Sequence, residues 1–222
     1  MSLYSHLHLL TSTFLDVLFP KKPVVVLLER MAQSHTLLDF PSAEEISLSH
    51  CSALFSYKDA RVRELVWQIK YQKNKTLTQE VSRLLYEYIL DDIQDSFYFK
   101  KQERVLLVSV PSTWRRKFER GGNQSNRIAT SILSHDTGNI FEYYPDTIKK
   151  IRNTVSQTKT KNRAERLKNL TGAFVVQDSE KVKGRRVILI DDVVTTGSTL
   201  KEMRDLLKDA GAKSVESFVI AH

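Results

Sequence analysis

Continuous apolar runs alternate with amphipathic segments along most of the chain. The longer runs are rich in Val, Ile and Leu and fall at residues 104–110, 173–176, 187–190 and 215–220. An unbroken apolar run is typical of a strand that helices cover on both faces of a parallel sheet. Because helical patterns stand between these runs, the predicted fold class is α/β, with a doubly wound, mainly parallel sheet.

Amphipathic helices are predicted where apolar residues recur at helical spacing. Their apolar stripes lie within residues 3–18, 62–69, 77–90, 128–133 and 200–210. Lys70 and Tyr71 are expected to end the second helix, Asn123 to cap the fourth, and Gly211 to terminate the fifth. Additional short strands are predicted at residues 54–57, 141–144 and 147–151.

Two segments are predicted to lack helix. Residues 24–28 read as a short strand or buried turn, because Pro20 and Pro23 close the helix before them. The acids of residues 91–95 read as an acidic linker. We therefore divide the chain into an N-terminal appendage, residues 1–50, and a main domain, residues 51–222.

The chain has the composition of an ordinary globular protein, with 41% hydrophobic and 27% charged residues among 222. Its net charge of +8 is concentrated: residues 100–186 hold 20 Lys and Arg against 8 Asp and Glu. This basic region suits a polyanionic partner, such as a phosphorylated sugar or nucleic acid, although a solvated basic surface is the plain alternative.

Cysteine content and apolar run length limit the cellular setting. The single cysteine, Cys51, excludes an internal disulfide framework and a multi-cysteine metal site. The start of the chain lacks the pattern of a signal peptide, and no apolar stretch approaches the ~18 residues of a membrane span. We therefore expect a cytoplasmic protein without membrane contact. A homo-oligomer is compatible with the sequence.

The most informative stretch is VILIDDVVTTGSTL, residues 187–200. Its apolar strand ends at two acids, Asp191 and Asp192, at the edge where open α/β sheets place their ligands. The loop that follows has four hydroxyls around one glycine and leads into a helix: Thr195, Thr196, Gly197, Ser198 and Thr199. Backbone N–H groups and the helix dipole at such a position favour a phosphate. Turn formation and helix capping alone are the alternative explanation.

Two further basic segments resemble anion sites. The strand at 104–110 runs into a loop with Ser112, Arg115 and Arg116, and a basic surface loop is an equally good interpretation of this segment alone. Residues 152–170 are polar and basic, so we expect a mobile loop that leads into a short helix at 164–170. No GxxxxGK[ST], GxGxxG or HExxH motif is present, which removes common nucleotide-binding and zinc-hydrolase alternatives.

Residues 187–200 resemble the 5-phosphoribosyl-1-pyrophosphate (PRPP) signature of type I phosphoribosyltransferases. The whole domain resembles the ComF family of competence-associated, phosphoribosyltransferase-like proteins. The matching segments are FSYKDARVRELVWQIKY (55–71), VPSTWRRKFERGGNQSNRIA (110–129), RNTVSQTKTKNRAERLKNLTGAF (152–174) and the signature. The chain departs from the family pattern in two places: residues 1–50 contain no cysteine for the usual four-cysteine zinc module, and Gly122 replaces a bulky apolar residue.

The resemblance implies a set of roles. Asp191 and Asp192 would bind the ribose hydroxyls and stabilise positive charge near C1. The 5-phosphate would be held by Thr195, Thr196, Gly197, Ser198 and Thr199. Pyrophosphate would contact Ser112, Arg115 and Arg116, under a flexible lid with Arg152, Gln157, Arg163 and Arg166. Mg²⁺ would bind mainly through PRPP, with Asp191 or Asp192 as an additional ligand.

Three functions remain open at the level of sequence. The first is an enzyme that transfers phosphoribose to an unidentified base or amine. The second is a non-catalytic PRPP or nucleotide sensor that assists DNA uptake through a helicase or single-stranded DNA. The third is a purely structural role, which the intact signature disfavours. For stacking on single-stranded DNA, the basic region offers only Trp114 and Phe118.

Overall fold

The structure is a computed structural model that describes residues 21–44, 48–97, 104–111, 122–151 and 173–222. Its strands, in chain order, are β1 (Cys51–Phe55), β2 (Val105–Ser109), β3 (Phe141–Tyr143), β4 (Ile148–Lys150), β5 (Phe174–Val176), β6 (Arg186–Val193) and β7 (Ser214–Ala221). Five of them form a sheet of order β1-β7-β6-β2-β3 in which every neighbouring pair is parallel. β4 and β5 form a separate antiparallel pair.

Helices stand between the strands. They are α1 (Pro23–Gln33), α2 (Ala60–Trp67), α3 (Lys75–Phe97), α4 (Gln124–His135) and α5 (Ser198–Asp209). A π-helical turn, Gln68–Gln72, continues α2 and ends at Lys73, whose φ of 53° is left-handed. The order of strands and helices brings the carboxyl ends of β2 and β6 next to the amino terminus of α4.

Apolar side chains pack on both faces of the sheet. In β6, Ile188 and Ile190 join the core beneath α1, α2, α3 and α4, whereas Val187 and Leu189 point to the core that contains α5 and the β4–β5 pair. The alternation follows from the two-residue period of a strand. Since both faces are covered, the unbroken apolar runs are explained and the predicted doubly wound α/β fold is confirmed.

Side-chain caps mark two helix starts, and the cap at Asn123 confirms the prediction. The Asp59 carboxylate accepts a hydrogen bond from the backbone N–H of Arg61 (2.7 Å) at the start of α2. At the start of α4, Asn123 Oδ1 accepts from the backbone N–H of Ser125 (3.3 Å). Such caps satisfy donors that the first helical turn leaves without an intrahelical partner.

Two predictions about the regular structure were wrong. Residues 24–28 lie in α1 rather than in a strand or turn, because Pro23 occupies the first helical turn and starts the helix. Val25, Leu28 and Ala32 then form its buried stripe. The acidic residues 91–95 lie in α3 and form no linker, since the buried stripe continues through Ile93.

The remaining boundaries differ by a few residues. β6 continues through both acids to Val193, and Asp191 still pairs with Val219 of β7. The predicted helices at 3–18 and 164–170 lie outside the described residues, and the division at residue 50 stays a prediction. Among the helices that the structure does describe, none has the length and apolar character needed to span a membrane.

Candidate functional site

Two acids at the carboxyl end of β6 meet the first turn of α4. Gln124 Nε2 donates to Asp192 Oδ2 (2.7 Å), and Ser125 Oγ donates to Asp191 Oδ1 (3.0 Å). The backbone N–H of Asp192 also donates to Asp191 Oδ1 (2.9 Å). The positive end of the α4 dipole therefore faces both carboxylates, which stabilises negative charge at this edge of the sheet.

Lys70 reaches the same site from the π-helical turn. Its Nζ lies 2.9 Å from Asp192 Oδ1, with side-chain exposures of 18% for Lys70 and 7% for Asp192. One carboxylate thus holds a lysine on one oxygen and an amide on the other. Lys70 was predicted only to end a helix, although it lies in a segment that carries the family resemblance. π-helical turns are frequent at functional sites.

Asp191 has an environment that favours its protonated form. Burial, followed by the negative charge of Asp192, raises the pKa of Asp191 to about 7, while the Asp192 N–H, Lys70 and Ser125 act in the opposite direction. Burial beside a second carboxylate thus disfavours the charged form of Asp191. Burial and the nearby Asp191 also raise the pKa of Cys51 to about 11, which keeps that thiol protonated and poorly nucleophilic.

Gln124 offers an acceptor that the described part of the chain does not use. Its Nε2 is bound to Asp192, whereas its Oε1 is buried without a hydrogen-bond partner among the described residues. A buried polar atom left in this state is costly, so it marks a position for a donor from a ligand or water. Gln124 was not among the predicted site residues, although it lies in the 110–129 segment that carries the family resemblance.

The loop after β6 ends at the amino terminus of α5. Gly197 occupies the N-cap position with φ of 69° and makes no side-chain capping hydrogen bond. A Cβ added here would lie 2.6 Å from Leu48 Cδ2, so both conformation and space require glycine. Thr196 Oγ1 and Ser198 Oγ are hydrogen-bonded at 3.0 Å. The first helical turn and these hydroxyls form an arrangement suited to an anion.

A polar network fixes α4 to the end of β2. Ser109 Oγ donates to Asn126 Oδ1 (2.7 Å) and is hydrogen-bonded to Tyr143 Oη (2.9 Å). Asn123 Nδ2 donates to the carbonyl of Val110 (3.0 Å). Burial raises the pKa of Tyr143, which keeps its hydroxyl protonated. This network therefore orients the helix start that carries Gln124 toward the acids.

The predicted site residues divide into two groups. The structure places Asp191, Asp192 and the loop with Thr195, Thr196, Gly197, Ser198 and Thr199 in consecutive positions at the sheet edge and the α5 start. Ser112, Arg115 and Arg116, and the lid residues Arg152, Gln157, Arg163 and Arg166, lie outside the described residues. Within the described ranges, no group of three or more His, Cys, Asp or Glu is arranged to hold a metal ion.

Comparison with known proteins supports the resemblance. The family model described as "Phosphoribosyl transferase domain" matches residues 120–222. DNA utilization protein YhgH of Salmonella typhimurium is 34% identical over 152 residues, which is 68% of this chain and 63% of that protein. Competence protein ComFC of Streptococcus pneumoniae is 29% identical over 175 residues, 79% of this chain and 69% of that protein.

A third relative and two solved structures are similar to the chain. Competence protein F of Haemophilus influenzae is 29% identical over 160 residues, 71% of this chain and 66% of that protein. Glutamine PRPP amidotransferase from B. subtilis has 19% identity and a TM-score of 0.39, covering 64% of this chain and 25% of that one. HGPRT-ase from Leishmania tarentolae has 15% identity and a TM-score of 0.37, covering 64% of each chain.

The sequence relatives define the family. The chain spans about 63% of the length of its YhgH relative. The matched domain begins just before α4 and contains the acids, the loop after β6 and α5. This agreement confirms the resemblance proposed from the sequence. The chain is therefore a ComF-type protein, homologous to competence proteins F and ComFC and to DNA utilization protein YhgH, with a phosphoribosyl transferase domain.

Proposed function

We propose that the protein binds PRPP with Mg²⁺ and transfers its phosphoribosyl group to a nitrogenous acceptor. The observation that carries this proposal is that the first turn of α4 donates hydrogen bonds to both Asp191 and Asp192. The loop that follows these acids ends at the glycine-capped start of α5. A sugar that bears a phosphate and hydroxyls matches the donors and acceptors of this edge.

The described residues suggest how the sugar is held. The 5-phosphate would lie at the α5 start, where Gly197 admits a close approach of the backbone. Asp191 would accept a hydrogen bond from a ribose hydroxyl, and Gln124 Oε1 supplies an acceptor beside it. Asp192 is held by Lys70 and Gln124, so we assign it mainly to positioning and to the negative field near C1.

Mg²⁺ would enter the site on the ligand. Both oxygens of Asp192 are engaged, by Lys70 and Gln124, which makes this carboxylate a poor metal ligand as it stands. Asp191 alone can add a ligand from the described part of the site. The ion would neutralise charge on the departing pyrophosphate, which also has the predicted partners Ser112, Arg115 and Arg116.

The reaction needs no nucleophile from the protein. The lone pair of the acceptor nitrogen forms the N–C1 bond while the C1–O bond to pyrophosphate breaks. Both electrons of that bond leave with pyrophosphate, and the proton released from nitrogen passes to solvent. The negative field of Asp191 and Asp192 stabilises the positive charge that develops at C1.

A second candidate is a PRPP or nucleotide sensor that assists DNA uptake in the cytoplasm through a helicase or single-stranded DNA. The names of the relatives, competence proteins and a DNA utilization protein, favour it. The sensor would use the same loop and acids for ligand binding but would not release pyrophosphate.

Calorimetry combined with a pyrophosphate assay tests both candidates. PRPP with Mg²⁺ is titrated into wild type, Asp191→Asn and Asp192→Asn, with Asp205→Asn as the control because Asp205 lies in an exposed ion pair on α5. We expect the first two substitutions to weaken binding and the control to leave it unchanged. Binding without pyrophosphate release across a broad panel of bases would favour the sensor. Absence of PRPP binding by wild type would exclude both the transferase and the PRPP sensor.

A further inference from the structure

A groove opens beside the acids at the same edge of the sheet. Its volume is about 570 Å³, and its lining includes Lys22, Tyr57, Arg63, Trp67, Lys70 and Tyr71. Tyr57 follows the end of β1, and its backbone N–H donates to the carbonyl of His222, just beyond β7 (2.7 Å). The groove therefore lies near the carboxyl ends of β1 and β7, and β7 is the strand that pairs with β6. Its size falls in the range of roughly 300–1,000 Å³ that small-molecule sites occupy.

Two aromatic rings form one wall of the groove. Trp67 and Tyr71 remain 40% and 46% exposed. Their ring centroids lie 5.7 Å apart with 37° between the planes, because residues four positions apart share one side of the helical segment. Large aromatic surfaces left in water at the ligand edge of a sheet offer stacking to a planar ligand.

The groove also carries positive charge. Lys22 Nζ lies 5.5 Å from the centre of the Trp67 ring. The Arg63 guanidinium is fixed by hydrogen bonds from Nη1 to the carbonyls of Tyr57 and Lys58. Glu64, the acidic residue of the lining, accepts a hydrogen bond from Gln68 Nε2 (3.0 Å). A ligand with an anionic group is therefore preferred over a neutral one.

Lys70 connects the groove with the acids. Its side chain lines the groove, and its Nζ reaches Asp192 Oδ1 at 2.9 Å. A molecule in the groove is thus separated from the acid pair by the length of one lysine side chain. The proposed function places C1 of the ribose at that acid pair, so the Lys70 end of the groove is the side from which an acceptor nitrogen would approach the reacting carbon.

We propose that this groove is the acceptor subsite, and that the acceptor is a planar aromatic nitrogen compound with an anionic substituent such as a ring carboxylate. Trp67 and Tyr71 stack on the ring, and Lys22 and Arg63 attract the anionic group. This inference rests on the proposed phosphoribosyl transfer. A nitrogen of the compound in the groove forms the N–C1 bond as pyrophosphate leaves.

Trp67 supplies a built-in signal for the test. The chain has two tryptophans, so in Trp114→Phe the fluorescence reports on Trp67 alone. Nicotinate, orotate, adenine and a single-stranded oligothymidylate are each titrated into this protein. We expect saturable quenching by the two carboxylates and a weaker response to adenine. In the same background, Arg63→Gln and Lys22→Gln should each weaken carboxylate binding by about tenfold, the loss typical of one charge-assisted contact.

The control and the contrary outcomes are equally defined. Lys213→Gln removes an exposed lysine at the amino end of β7, away from the groove, and should leave carboxylate binding unchanged. Calorimetric PRPP titration of the same proteins tests the proposed phosphoribosyl transfer separately from the acceptor subsite. PRPP binding without a carboxylate response at Trp67 would overturn the acceptor subsite and leave the proposed function standing. Preference for adenine or the oligonucleotide over both carboxylates would also overturn it. Carboxylate binding without PRPP binding would contradict the phosphoribosyl transfer itself.

Discussion

Replacing Lys70 with methionine removes one charge from the site while retaining most of the side-chain stem. In the wild type, Lys70 Nζ lies 2.9 Å from Asp192 Oδ1, with side-chain exposures of 18% and 7%. Loss of one partner from a buried pair costs about 3–5 kcal/mol. Because Lys70 is partly exposed and Asp192 keeps its hydrogen bond from Gln124, we expect a loss near the lower end, about 3 kcal/mol.

The matched control is Lys201→Met. Lys201 pairs with Asp205 at 2.6 Å, but the side-chain exposures are 59% and 50%. Exposed pairs of this kind contribute about 0.3–0.5 kcal/mol. The two variants therefore lose the same charge and similar volume from environments that differ in burial.

Urea unfolding at neutral pH measures the difference. Lys70→Met should lower the free energy of unfolding several-fold more than Lys201→Met does. Adding Asp192→Asn to Lys70→Met should recover part of the loss, because no buried charge then lacks its partner. Equal, sub-kcal/mol effects of the two lysine variants, or strict additivity of Lys70→Met and Asp192→Asn, would refute the account of a coupled buried pair.

Three other outcomes are expected. The pKa of Asp191 is raised to about 7 in the folded protein, above the unfolded value of roughly 3.9. Its contribution to stability is therefore present below about pH 4 and is lost as the pH rises through 7. Urea unfolding should show Asp191→Asn gaining stability relative to wild type from pH 5 to 8, and a constant difference would contradict this. Gly197→Ala should cost about 1–2 kcal/mol from its left-handed φ alone, and thermal unfolding should show a further loss from the Leu48 contact that Leu48→Ala relieves. Gln124→Met should weaken calorimetric PRPP binding by about tenfold through loss of two polar contacts; unchanged affinity would exclude Gln124 from the ligand site.

Local sequence chemistry was sufficient for much of the fold. The strand before Asp191 and the cap at Asn123 depend on neighbouring residues, and the structure confirms them. Residues 24–28 were misassigned because three valines favour a strand when judged locally, whereas packing on α3 decides for helix α1.

The long-range partners of the acids could not be predicted from local sequence patterns. Gln124 and Asp192 are 68 residues apart in the chain, and no spacing rule joins them. Lys70 contributes to the site through a π-helical turn, which apolar periodicity does not reveal. The acids and the glycine loop were predictable because their chemistry is consecutive in sequence, while their partners meet them only after the sheet has formed.

The contact between Lys70 and Asp192 also depends on the number of residues in the π-helical turn. A regular α-helix advances about 100° per residue. Deleting Gln68 or Ile69, so that α2 continued with regular turns, would rotate Lys70 around the helix axis and carry its ammonium group away from Asp192. The extra residue in this turn therefore fixes where the aromatic wall of the groove, Trp67 and Tyr71, lies relative to the acid pair that Lys70 contacts.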